Sequence, residues 1–122
     1  VFIASDRNLA YDPRVGKLAR ALDVSLPAAL GHLHFLWYWC LTYAASGDIS
    51  PARVRQSDLA RGAQWGGDGQ VFVDALMRSG FVAVRDDGVW LADWDALAGR
   101  SLGESRRNRR KNATRRAKQT PG

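Results

Sequence analysis

Eight cations fall within the thirteen residues "RRNRRKNATRRAK", Arg106 to Lys118. Such a run can contact a polyanion. Each phosphate neutralised by Lys or Arg releases condensed counterions, and that release supplies most of the non-specific affinity for nucleic acid. Six of the eight are Arg, the residue suited to bidentate phosphate contact and to narrow minor grooves. Arg106, Arg107, Arg109, Arg110, Lys111, Arg115, Arg116 and Lys118 are expected to touch DNA or RNA. The plainer reading of the same residues is a solubilising or targeting tail, or a linker.

Residues able to do covalent or metal chemistry are poorly arranged. His32 and His34 are two apart, so on a helix they point in different directions, and neither stands four residues from Cys40. "GGDG" lacks the Lys of a phosphate-binding loop. Residues 1–100 contain no Glu. Asp93 and Asp95 flank Trp94 and form a paired-carboxylate candidate, but a helix cap explains Asp95 more simply. The expectation is a non-enzyme with no catalytic residue, metal or cofactor.

The 122 residues suffice for one core, and 46% of them are hydrophobic. Residues 1–100 carry ten Arg and Lys against eleven Asp, whereas residues 101–122 carry eight against one Glu. The formal charge of +6 therefore resides in the last segment. That segment repels itself and is poor in apolar residues, so it is expected to be disordered. The division is a domain over 1–100 and a basic tail over 101–122, with the boundary near Gly99–Gly103. "RRNRRKNATRRAK" faintly resembles the basic region of leucine-zipper proteins, but no leucine heptads follow.

Cys40 is the only cysteine and the start is unlike a signal peptide, which fits a cytoplasmic protein. "LPAALGHLHFLWYWCLTYAA", Leu26 to Ala45, is uncharged and about long enough to span a bilayer. Pro27, Gly31, His32 and His34 interrupt it, and its aromatics sit at the middle rather than the ends. A buried helix is the expectation, with no membrane partner.

The chain reads as an ordered series of elements. Asp12 and Pro13 open a helix with Val15, Leu18, Ala19 and Leu22 on one stripe. Ser25 caps a second, Leu26 to about Tyr43, with Leu26, Leu30, Leu33, Trp37 and Leu41 as its inner stripe. "DIS" at 48–50 suits a very short strand. "QSDLARGAQW" suits a short helix capped by Ser57, and Asp68 caps the next, which buries Phe72, Val73 and Leu76 and stops at Gly80. "FVAVR" and "VWLADW" are strands joined by the tight turn "DDG", Asp86 to Gly88. The fold class is mainly α with a small β-hairpin (α+β), in the order of a winged helix-turn-helix.

The stretches "DPRVGKLARAL", "ALGHLHFLWYWCL", "GDIS", "SDLARGAQWGGDGQVFVDALMRSGFV" and "DDGVWLADWDALAGR" cover most of residues 10–100. In pattern and order they resemble the N-terminal winged-helix domain of phage and prophage replication proteins, of the replisome-organiser or initiator type. Trp94 after the hairpin, followed by a basic segment, adds to the likeness. The resemblance implies a non-enzymatic, DNA-binding domain in a bacterial host cell, associated with the nucleoid. It also implies replication-protein partners and assembly of several copies on an origin.

Gln64, Gln70 and Arg78 are the expected groove contacts, Arg53, Arg55 and Arg61 the phosphate contacts, and Arg85 stands at the hairpin tip. Asp74, Asp86 and Asp87 on the same surface oppose phosphate; Asp74 either accepts from a cytosine amino group or lies on a solvated face. Three readings stand: a replication initiator or organiser on double-stranded DNA, a transcription regulator of the same fold, and a protein-interaction module whose tail alone meets nucleic acid. Phe35 and Trp39, beside His32, need cover from "VFIA" at the N-terminus or from a second copy in a homodimer.

Removing residues 101–122 is expected to lower affinity for arbitrary duplex DNA by orders of magnitude. With its cations engaged, the log–log salt slope flattens by up to about 7 units. Salt titrations of both forms check this, and unchanged binding after truncation would rule the tail out as the electrostatic arm.

Overall fold

Asp12 turns the chain from a short 3-10 turn, Arg7–Tyr11, into the first helix, its carboxylate accepting from the Arg14 amide at 2.9 Å. The computed structural model of the chain describes residues 3–86 and 88–99. Helix α1, Pro13–Leu22, buries Val15, Leu18, Ala19 and Leu22, the stripe its spacing predicts. Arg14 bridges Asp12 at 2.8 Å and Asp93 at 3.0 Å, with its guanidinium over the Phe81 ring. The hydrogen bond from Arg14 holds the Asp12 carboxyl below the ordinary carboxylate range.

Helix α2, Leu26–Tyr43, starts where Ser25 accepts from the Ala28 amide. Its inner stripe is Ala29, Leu33, Leu36, Trp37 and Cys40. The expected stripe is thus corrected: Leu33 and Trp37 are core, Leu30 and Leu41 are half-buried, and Leu26 is exposed. The helix is apolar on every side, so no polar face marks its phase, and α1 and the helix after it decide which residues turn inward. Burial pushes the Cys40 thiol up to about 12, which keeps it neutral. Among the described residues no helix is long and apolar enough to cross a membrane.

The expected strand at 48–50 is a single bridge, Asp48 to Trp90, flanked by hydrogen bonds from Ile49 N to Val89 O (2.9 Å) and from Leu91 N to Gly47 O (2.8 Å). Helix α3, Gln56–Gly62, begins before Ser57, which lies inside it; Arg55 is the cap residue and makes no side-chain bond. Arg55 is extended, and its carbonyl accepts the first bonds of the helix, from the Asp58 and Leu59 amides at 3.1 and 3.0 Å. Helix α4, Gly69–Ser79, is capped by Asp68 and stopped by Gly80 at φ 90°. It buries Phe72, Val73, Ala75 and Leu76 against α1 and α3.

Strands β1, Val82–Arg85, and β2, Gly88–Leu91, pair antiparallel with Val82 opposite Leu91 and Arg85 opposite Gly88. Asp86 sits at φ 50°, the positive value that a two-residue hairpin turn needs. The second strand is shorter than expected. Ala92 and Asp93 turn, and Trp94 opens a helical stretch over 94–99 in which Asp95 is interior, so Asp95 is not its cap. Trp94 is buried and donates to Ala45 O at 2.8 Å; a Cβ on Gly47 would come within 2.7 Å of its ring.

Of the N-terminal "VFIA" expected to cover Phe35 and Trp39, Val1 and Phe2 lie outside the described residues, and Ile3 and Ala4 are the part described. Ile3 packs on the core, Ala4 N donates to Leu97 O at 2.8 Å, and Ser5 meets His34. Trp39 is covered instead by Gly62 of α3, where its ring fills the space of the missing side chain. Phe35 and Tyr38 remain 51% exposed.

One hydrogen-bond chain fastens the 48–50 segment to the hairpin. The Ser50 hydroxyl donates to Asp48 and accepts from Val89 N at 2.8 Å. Ser50, through its hydroxyl and its amide, and then Arg53 hold the Asp48 carboxyl below its ordinary range. A carboxylate lowered in the folded state stabilises above the ordinary range, and that contribution disappears as pH falls through the native value. Asp48→Asn is therefore expected to lose stability at neutral pH and to lose less on acidification below about pH 4. Urea melts across that range check it; identical acid slopes in the two proteins would remove Asp48 from the account.

Candidate nucleic-acid interface

Two short helices can present a surface only if the turn between them is rigid. The turn over 63–68 is fixed by His32, by Trp65 and by the close approach at Gly69. His32 Nδ1 lies 2.8 Å from Ala63 O; a carbonyl only accepts, so this nitrogen carries the proton. The His32 ring meets Trp65 and Phe72 edge-on at 5.5 and 6.3 Å between centroids. Trp65 stacks on Phe72 at 6.0 Å and donates from Nε1 to Asp68 O at 3.2 Å. At Gly69 the helices approach so closely that a Cβ would stand 2.7 Å from Gln56 O. His34 is likewise structural: Nδ1 donates to Leu30 O at 2.8 Å, leaving Nε2 to accept from the Ser5 hydroxyl.

Helix α4, so held, leaves one face outward. Gln70, Asp74 and Arg78 stand four residues apart along it, with Val71 and Met77 beside them, 47% and 41% exposed. Gln70 Nε2 donates to Asp74 Oδ1 at 2.8 Å. Asp74 thus has a partner that sequence reading did not assign it, and it fixes the Gln70 amide with its oxygen and second N–H available. Val71, Asp74, Ala75 and Arg78 line a shallow groove with Ala21 of α1. Lys17 and Arg20, exposed on that neighbouring helix, were not singled out by sequence. Their signal was present, since both lie off the apolar stripe of α1.

The other expected contacts are scattered around this face. Arg53 Nε is 2.9 Å from Asp48 Oδ2, so part of its charge is neutralised, although its side chain is 71% exposed. Arg55 and Arg61 are exposed at the two ends of α3, and Gln64 is exposed in the turn at φ 62°. Arg85 lies with its guanidinium carbon 5.8 Å from the Trp90 ring centroid, a cation–π distance. Among the described residues Arg55, Arg61, Arg78 and Arg85 form no ion pair. Arg106, Arg107, Arg109, Arg110, Lys111, Arg115, Arg116 and Lys118, the tail boundary near Gly99–Gly103 and Asp87 of the hairpin turn lie at or outside the limits of the described residues.

Asp93 is tied to Arg14, and among the described residues no group of three or more His, Cys, Asp or Glu is placed to hold a metal. No family model, curated protein or solved structure matches the chain.

Gly69→Ala is expected to destabilise by about 1–3 kcal/mol, because the clash with a backbone carbonyl outweighs the better helix propensity of Ala. Gly66→Ala, where a Cβ meets nothing within 4 Å, is the control and should be near neutral. Denaturant melts compare them; equal stabilities would mean the α3–α4 approach is not tight.

Proposed function

We propose that the chain is a winged-helix DNA-binding module, that of a phage or mobile-element replication initiator or organiser acting on origin DNA. The observation that carries the reading is the outward face of α4. It bears Gln70 and Arg78 on a helix pinned from behind by α1 and α3 and ahead by the Trp65 turn. The bridge from Asp48 to Trp90 supports it, because it adds a third short segment to the hairpin as a winged helix requires. Gln70 reads an adenine edge with its amide, Arg78 a guanine edge, and Arg55, Arg61, Arg85 and the basic tail meet phosphates. Fold order supports the DNA-binding part; the replication role rests on the resemblance to phage replication proteins, and a transcription regulator would use the same face. Phe35 and Tyr38 are the surface on which assembly of several copies would rest.

A second reading is favoured by one observation. The α4 face carries one carboxylate, Asp74, and one guanidinium, Arg78, with Val71 and Met77 exposed beside them. A face balanced in charge and partly apolar suits a protein partner, with nucleic acid left to the tail.

Gln70→Ala and Arg78→Ala are expected to reduce discrimination among duplex sequences more than overall affinity, by about 1–3 kcal/mol at the base each one reads. Binding selection from a random duplex pool, repeated with each variant, measures this. Full retention of the specificity ratio in both would assign α4 to a protein partner.

A further inference from the structure

The C-terminal half of α2 and the outer side of α3 enclose an open cleft of about 460 Å³, lined by Trp39, Tyr43, Asp58, Arg61, Gly62 and Gln64. Small-ligand sites span about 300–1,000 Å³. The floor of the cleft is aromatic, and Gly62 makes it so, because the Trp39 indole lies where a side chain at 62 would stand. Tyr43 leans on Trp39 with ring centroids 5.0 Å apart and 36° between planes, yet stays 68% exposed. Around that floor stand a cation, an anion and an amide, Arg61, Asp58 and Gln64, all exposed. Gln64 is held in the left-handed region, φ 62°, a conformation unfavourable for a residue with a Cβ and kept only where the surroundings fix it.

We propose that this cleft binds one unstacked nucleobase of single-stranded DNA or RNA, an assignment that rests on the nucleic-acid reading above. Every base has a π face, so stacking on Tyr43 tolerates any sequence. Arg61 takes the adjoining phosphate. The Asp58 carboxylate only accepts and repels phosphate, so it belongs with the base edge, where it receives an exocyclic amino group. Bases with that group, adenine, cytosine and guanine, are preferred over thymine and uracil. A duplex cannot use the cleft, because its base faces are covered by their neighbours. The cleft shares no residue with the outward face of α4, and Arg61 alone is common to the strand and duplex assignments, so Tyr43 and Asp58 are the residues that separate them.

The test uses the full chain with short homopolymers of deoxycytidine, deoxyadenosine and deoxythymidine, and a duplex, at high salt where the basic tail contributes least. Binding is read by Trp fluorescence and anisotropy. The expected result is tighter binding of the cytidine and adenosine strands, a loss of about tenfold for single strands in Tyr43→Leu with duplex affinity unchanged, and recovery in Tyr43→Phe. Asp58→Asn should erase the base preference. Single-strand binding that is indifferent to Tyr43→Leu overturns the cleft while leaving the duplex reading standing. A wild type that binds neither form sinks both. Loss of a sedimenting dimer in Tyr43→Leu, with single-strand affinity intact, reassigns the aromatics to self-association and overturns the proposal.

Discussion

The carbonyl of Ala63 needs a donor where α3 ends, and His32, one turn and a half into α2, supplies it. Helix ends leave such carbonyls without partners, and a buried one left so is costly. The same imidazole meets Trp65 and Phe72 edge-on, so a single side chain touches the end of α3, the turn and α4. Gly69 then lets the two short helices meet at backbone distance. The outward face of α4 is a consequence of these contacts; with any of them loosened, Gln70 and Arg78 would keep their spacing but lose a fixed direction.

Charge follows a separate plan. Within residues 1–100, acids and bases nearly balance, and two bases are committed to architecture: Arg14 joins the first helix to Asp93, and Arg53 pairs with Asp48. What remains for a partner is a scattered set of exposed cations, Arg7, Lys17 and Arg20 near α1 and the arginines around α3, α4 and the hairpin. The long-range field that draws a polyanion belongs to the eight cations of Arg106 to Lys118. Capture and recognition are thereby assigned to different parts of the chain in the reading proposed above.

Much of the fold was legible where local chemistry decides it. Asp12 with Pro13, Ser25, Asp68 and Gly80 mark helix ends through bonds made within a few residues, and the periodicity of α1 is strict. The phase of α2 was not legible, because a helix with no polar side offers no contrast and only the neighbours choose its inner stripe. Ser57 looked like a cap by type, but the Asp58 and Leu59 amides bond to Arg55 O, which opens the helix before it. Trp39 against Gly62, and Asp74 holding Gln70, depend on one helix lying across another or on a rotamer; spacing alone does not reveal the first, and for the second it shows only that contact is allowed. The same holds for the aromatic cleft, whose lining comes from two helices and the turn after α3.

The bond from Ala4 N to Leu97 O joins nearly the two extremes of the described chain. Closing so long a loop is entropically demanding before any contact rewards it, so this link belongs among the last to form as the chain folds. Being a single hydrogen bond with Ile3 and Leu97 only partly buried beside it, it also belongs among the first to exchange its amide proton. The core helices, with Trp94 and Ala98 seated among them, can therefore be complete while the segment at Ile3 and Ala4 is still undocked. The basic segment follows the stretch over 94–99, whose seat is fixed by Trp94 and Ala98 independently of the N-terminus.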